Sequence, residues 1–284
     1  MSETMQSTAV SRLRALAERL ERLDLFRQSQ LRAYDKQFET NTTANMFRGV
    51  FDSFAAAAAS APKSRPIGYD NPASASLYRR WMAVDPHDYP AMFWLMRSLD
   101  EGMRSIFDWG GSIGMKYHAF AKHIPYPDSL VWTVCDVSAA VEQGRDLARQ
   151  RQCEHRLHFT TEPTEMSTAD VLYASGVLQY LPMTLAEMLG QLATKPRRLV
   201  INTTAIHPDR SYFTLNSIGT AFCPYRVQAI DPFCREVEAT GYRLKDQWAN
   251  IGKALELPMD PGFSLSRYMG FCFERDPVAI QHQV

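Results

Sequence analysis

The chain has 284 residues, 45% of them hydrophobic, with 31 basic and 31 acidic side chains and a formal net charge of zero. That length and composition suffice for one substantial core plus an accessory segment, and the balanced charge gives no built-in attraction to polyanions. Neither a nucleic-acid nor a membrane partner is therefore expected. No apolar run approaches the roughly 18–20 residues that span a bilayer. The opening stretch MSETMQSTAVSRLRALAERL has no signal-peptide apolar core. The expectation is a soluble, cytoplasmic protein. Cys135, Cys153, Cys223, Cys234 and Cys272 are scattered and form no C-x-x-C pair. This argues against a disulfide framework or a zinc site and leaves reduced core thiols.

In chain order, Leu13, Leu16, Leu20 and Leu23 recur at steps of three and four, an apolar stripe on a charged helix. It covers only about two heptads, short for a coiled coil. The stripe docks either on the rest of the chain or on a second copy, as a homodimer contact. Met46, Phe47, Val50, Phe51 and Phe54 suggest a second helical stripe, and AAAAAS at Ala55–Ser60 reads as a helix end. The segment APKSRPIGYDNP, Ala61–Pro72, carries three prolines and a glycine and reads as a loop. It separates a helical N-terminal extension, residues 1–67, from the remaining domain, residues 68–284. Residues 76–102 read as two short helices broken at Asp85–Pro86 and ended by Gly102.

From Arg104 the pattern alternates. Strands are expected at 105–109, 130–136, 157–161, 169–175 and 197–204. Helices are expected at 115–124, 138–151, 184–194 and 232–241. Two late runs, 242–250 and 266–275, read as strands that place an antiparallel pair at one edge. Such alternation predicts an α/β fold with a mostly parallel sheet covered by helices on both faces.

Ligands of such sheets sit at the carboxyl ends of the strands, near the switch in strand order. The first strand of the alternating region ends in SIFDWGGSIGMKY, Ser105–Tyr117. Gly110, Gly111 and Gly114 allow a sharp turn and a close ligand approach. The spacing is G-G-x-x-G, not the G-x-G-x-x-G of a dinucleotide loop, and Asp108 leads it. A carboxylate there is awkward beside a pyrophosphate and suits a cationic ligand, such as the ammonium or sulfonium of S-adenosylmethionine (SAM). The class I methyltransferases carry acidic-x-G-x-G-x-G at this place. Asp108, Gly110 and Gly114 fit it, and Ser112 stands where the middle glycine would be.

Asp136 ends the next strand and is a candidate acceptor for two vicinal ribose hydroxyls, or else a cap for the helix it precedes. Thr161 and Glu162 follow the third strand as candidates beside adenine. Ser175, Gly176, Gln179 and Tyr180, in SGVLQYLP, are candidates to line the methyl-transfer site, although Gln179 and Tyr180 equally suit a helix cap. Tyr117 is a candidate to pack against the methionine moiety. His207, just past the fifth strand, is the first candidate for a general base, and His118 the second. No metal site is expected: His118 and His123 are five apart, a poor match to one helix face. Tyr69, Tyr78, Trp81, Phe93, Trp94, Tyr212, Phe213 and Phe222 are candidate walls of an apolar acceptor pocket.

FDWGGSIGMKY, SGVLQYLP, the upstream GYDNP and the late GY with its tryptophan together resemble a bacterial family of class I SAM-dependent methyltransferases. Its members look like D-[FW]-G-G-S-[LI]-G-x-x-Y followed by S-G-V-L-Q-Y-L. The resemblance runs from about Gly68 to Phe273. It implies a Rossmann-like class I methyltransferase fold with a seven-stranded sheet and SAM as cofactor. It also implies methyl transfer to an oxygen or nitrogen of a small-molecule acceptor, in secondary-metabolite or polysaccharide biosynthesis. The N-terminal helices suit a lid over the ligand edge. Two alternatives stay open: a nicotinamide-dependent oxidoreductase, and a non-catalytic methyltransferase-like binding subunit, which Ser112 and the long N-terminus keep in view.

Overall fold

The structure is a computed structural model and describes residues 25–26, 28–43, 45–71, 73–74 and 82–276. The leucine stripe at 13–23, Tyr78 and Trp81 lie outside these residues. Residues 28–40 form a helix, α1. Met46–Phe51 is a strand, β1, and Phe54–Ala59 is helix α2, capped by the Ser53 side chain, which accepts from the Ala56 N–H. The helix expected through Met46, Phe47, Val50 and Phe51 is thus corrected. Gly49 sits at φ +74°, which interrupts a helix. The aromatic and branched residues around it instead pair with a later strand, from Met46↔Ser217 to Phe51↔Phe213.

A one-turn helix at Pro86–Asp88 leads into α3, Tyr89–Asp100. The alternating region then follows. It runs β2 (Ser105–Trp109), α4 (Met115–Phe120), β3 (Val131–Cys135), α5 (Ser138–Gln150), β4 (Leu157–Thr160) and β5 (Val171–Ser175). It continues with α6 (Leu185–Gln191), β6 (Arg198–Thr204), β7 (Ile206–His207), β8 (Tyr212–Ser217) and β9 (Phe222–Ala229). It closes with α7 (Ile230–Ala239), β10 (Tyr242–Asn250) and β11 (Tyr268–Arg275).

The main sheet has seven strands in the order β10-β11-β6-β5-β2-β3-β4. β2, β3, β4, β5 and β6 are parallel, and β11 runs antiparallel to both β6 and β10. This is the expected α/β architecture, a mostly parallel seven-stranded sheet with an antiparallel pair at one edge. The chain moves outward from β2 through β3 to β4, then crosses back to β5. The order therefore reverses at β2 and β5, and the crevice at their carboxyl ends is where an α/β sheet holds a ligand.

Alternate residues of each strand feed two cores, as a pleat requires. Ile106, Trp132, Leu157, Tyr173 and Val200 pack under α3, α4 and α5. Phe107, Cys135, Leu172, Leu199 and Phe271 pack under α6 and α7. The five cysteines are all free thiols, three of them buried, and burial pushes Cys135 and Cys223 up to about 12.

A second sheet, β1-β8-β9-β7, grows from the chain between β6 and α7 and takes in β1 from upstream. The sequence reading assigned no strands to its β8–β9 hairpin and placed its aromatics in a pocket wall. The structure scatters the described members of that wall. Phe222 stacks on Phe38 at 5.4 Å and Phe213 lies edge-on to Phe54. Phe93 is exposed on α3, and the Trp94 indole N–H donates to Asp246 at 2.8 Å. The Tyr212 hydroxyl donates to the Phe263 carbonyl. Tyr69 meets a residue of the SGVLQYLP turn, Tyr180, at a ring separation of 4.9 Å.

Candidate active site

The loop after β2 is built as the glycines require. Gly110 has φ +76° and Gly114 has φ +83°, a region that a side chain disfavours. A Cβ on Gly110 would also lie 2.4 Å from Val177 Cβ. The turn after β5 therefore rests directly on the loop after β2, across the crevice. Ser112 adopts φ +54°, the left-handed conformation that explains why a glycine suits its place. Its backbone N–H donates to Asp136 Oδ2 at 2.8 Å, and the Val137 N–H donates to Oδ1 at 2.7 Å. Asp136 thus joins the loop to the end of β3. Burial pushes its carboxyl up, against the two backbone N–H groups that hold it down. α4 is six residues long, shorter than the expected 115–124.

Asp108 does not stand open to a ligand. It is 1% exposed and accepts from the Trp132 indole N–H at 3.1 Å. A Cβ on Gly111 would lie 2.4 Å from its Oδ2. The carboxyl therefore supports the loop from behind, with Gly111 packed on it. Burial, opposed by the Trp132 hydrogen bond, lifts its pKa to about 7. Tyr117 also faces inward, toward the rings of Tyr126 (5.1 Å) and Trp132 (5.7 Å).

Thr161 and Glu162 are exposed at the end of β4. The Glu162 N–H donates to the Thr160 hydroxyl at 3.0 Å, which turns the chain there. Ser175 and Gly176 are half-buried at the end of β5, and the Gly176 N–H donates to the Asn202 carbonyl at 3.0 Å. Gln179 is 4% exposed; its Nε2 donates to the Thr203 carbonyl at 3.3 Å. The Tyr180 hydroxyl donates to Asn216 Oδ1 at 3.1 Å, and its ring meets Tyr69 and Tyr225 edge-on. Gly110, Gly111, Ser112, Gly114, Asp136, Ser175, Gly176 and Gln179 thus gather along one stretch of the sheet's carboxyl edge.

His207 lies apart, on the small sheet. Its Nδ1 accepts from the Asp209 and Arg210 N–H groups at 3.2 and 3.1 Å, with Asp209 Oδ1 2.8 Å away. That nitrogen is engaged within its own turn. His118 is buried against the core with Nε2 unpartnered, and burial depresses it to about 4. It is a core imidazole held neutral, which removes it as a base for the crevice.

Sequence reasoning missed two features that border the crevice. Asp88 is fully enclosed, with the Lys116 ammonium 2.6 Å from its Oδ2 and Asn202 Nδ2 donating to its Oδ1 at 3.3 Å. Asn202 in turn accepts from Trp248 and Asn250. Asp85, His87 and Asp88 bring ligand atoms within 4.8 Å of one another, and the Lys116 ammonium lies 2.6 Å from Asp88 Oδ2 and 3.6 Å from Asp85 Oδ2. The signal was the DPHD run before α3, read only as a break. The second is the link made by Asp70, in the GYDNP segment that the sequence reading named only for its resemblance and for Tyr69. Its Gly68 N–H donates to the Phe222 carbonyl at 2.9 Å, and Asp70 Oδ1 accepts from the Ala139 N–H at 3.4 Å. It straps the small sheet to the start of α5, next to Asp136.

No protein-family model matches the chain, and no curated protein does. Solved structures show distant likenesses. The 1,6-didemethyltoxoflavin-N1-methyltransferase of Burkholderia thailandensis, bound to its substrate and S-adenosylhomocysteine, is 15% identical over 67% of this chain and 79% of its own, with a TM-score of 0.45. A SAM-dependent methyltransferase of Clostridium acetobutylicum is 7% identical over 71% and 97%, with a TM-score of 0.47. The CcbJ methyltransferase of Streptomyces caelestis is 13% identical over 71% and 96%, with a TM-score of 0.44.

Proposed function

We propose that the chain is a SAM-dependent methyltransferase acting on an oxygen, or else a nitrogen, of a small-molecule acceptor. The observation that carries this is the joint between the glycine loop and Asp136. At the strand-order switch, the backbone of Gly110–Gly114 turns without side-chain obstruction, and its Ser112 N–H is pinned to the carboxylate that ends β3. This donor set fits the cofactor. Asp136 offers carboxylate oxygens to vicinal hydroxyls, the glycines leave room for a thioether chain, and Thr161 and Glu162 border the adenine end. The G-G-x-x-G spacing departs from the G-x-G-x-x-G of a dinucleotide loop.

When bound, the cofactor supplies an activated methyl group on a sulfonium. The chain's residues then align and exclude water. The Val177 contact with Gly110 closes the crevice between β2 and β5, and Tyr180, fixed by Asn216, borders the acceptor side. Holding an acceptor and a methyl in line is worth several orders of magnitude in rate, and charge neutralisation favours a dry site. The test is incubation of the purified protein with methyl-labelled SAM and a bacterial small-molecule extract. Label is expected in a base-stable small molecule; label recovered only in SAM and its hydrolysis products contradicts the proposal.

A further inference from the structure

The enclosure of Asp108 leaves a question that the fold itself answers: which group receives the cationic amino end of the cofactor? The carboxyl is 1% exposed, with Gly111 packed against it. It supports the loop and makes no opening toward the crevice. Across the crevice, Gln179 carries a buried side-chain oxygen, Oε1, with no hydrogen-bond partner. An unmatched buried carbonyl is costly, by the desolvation of a group that gains nothing in return. Its assignment as oxygen follows from geometry. The other end of the amide lies 3.3 Å from the Thr203 carbonyl, and only an N–H donates to a carbonyl.

The amide is also held in a strained setting. Thr203 is β-branched yet has φ +52°, a true outlier for such a residue. Its N–H is fixed by Asn250 Oδ1 at 3.1 Å, and Asn250 is fully buried against Asn202. Strain of this kind clusters at ligand sites, where the surroundings over-determine it.

We propose that Gln179 Oε1 accepts a hydrogen bond from the α-ammonium of the cofactor. The proposal rests on the SAM reading given above. Spacing supports it. Asp136 ends β3 and Gln179 follows β5, with β2 between them. Two strand spacings are about 10 Å, comparable with the extended reach from ribose hydroxyls to amino nitrogen along the thioether chain. The ligand's hydroxyls and its ammonium are thereby matched to acceptors at opposite sides of the loop. Gln179 is then a binding residue for the cofactor rather than a residue of methyl transfer.

The test compares two probes by calorimetric titration. S-adenosylhomocysteine carries the amino acid end, and 5′-methylthioadenosine lacks it. Gln179→Leu removes the acceptor at similar size. It is expected to weaken S-adenosylhomocysteine about tenfold to a hundredfold, the range for a lost hydrogen bond to a charged group. It leaves 5′-methylthioadenosine within about twofold. Gln179→Glu is expected to restore much of the lost affinity by placing a carboxylate against the ammonium. Equal losses for both probes would mean that the leucine damages the loop generally, and an unchanged S-adenosylhomocysteine affinity would mean that no such bond exists; either overturns the proposal. If the wild-type protein binds neither probe, it is the SAM reading that fails.

Discussion

Substituting alanine for Gly111 probes the support that Asp108 gives the loop. The new Cβ would lie 2.4 Å from Asp108 Oδ2, 2.5 Å from Cγ and 2.8 Å from Oδ1. Comfortable non-bonded contacts lie about 1 Å farther out. Asp108 has little freedom to yield, being 1% exposed and bonded to the Trp132 indole. Overpacking at such a point costs about 1–3 kcal/mol. Asp108→Ala alone also destabilises, by about 1–3 kcal/mol, because it orphans the buried Trp132 N–H. In the double variant the clash is gone, so the two losses should not add. A favourable coupling of about 1–2 kcal/mol is expected. Urea unfolding of the four proteins measures this directly, with the slope checked for constancy. A Gly111→Ala protein that unfolds at the wild-type midpoint refutes the packing argument. So does a double variant whose loss equals the sum of the single losses.

The remaining predictions concern protons and the loop. Burial raises Asp108 from 3.8 to about 7. For an acid raised on folding, the favourable contribution is present below about pH 4 and is lost as pH rises through about 7, an effect of about 4 kcal/mol. Asp108→Asn should therefore gain stability relative to wild type between pH 5 and pH 8, read from urea midpoints at both; a constant difference counts against the enclosed carboxyl. His118 runs the other way, since its pKa falls to about 4. Its neutral burial stabilises above about pH 6.5 and that stability is lost as pH falls through about 4, so His118→Gln should flatten the acid limb of the profile. Ser112→Gly should relieve a left-handed residue, raise stability by up to about 1 kcal/mol and keep S-adenosylhomocysteine affinity. Asp136→Asn should weaken that affinity at least about tenfold, while His207→Ala leaves it unchanged in the same titration.

The strands β2 to β6 were legible because strands buried on both faces read as short apolar runs separated by amphipathic helices. The glycine loop was legible because its three glycines answer steric demands, φ at Gly110 and Gly114 and the Asp108 contact at Gly111. The environment of Asp108 was not. Its enclosure depends on Trp132 from the neighbouring strand and on where Gly111 lands, and spacing along the chain carries neither. Met46–Phe51 misled because its apolar residues also fit a helical period, and only pairing with β8 decides between the two. The β8–β9 hairpin was hidden by its polar interior. Thr214, Asn216 and Ser217 are fully buried there, so it lacks the apolar alternation that marks a half-buried strand.

The measurement that bears most directly on the central claim is calorimetric titration of the wild-type protein with S-adenosylhomocysteine and, separately, with NAD+ and NADH. The joint between the glycine loop and Asp136 predicts one saturable site for S-adenosylhomocysteine, weakened by Asp136→Asn, and no heat of binding from either nicotinamide nucleotide. Saturable binding of a nicotinamide nucleotide, or of none of the three, would contradict it.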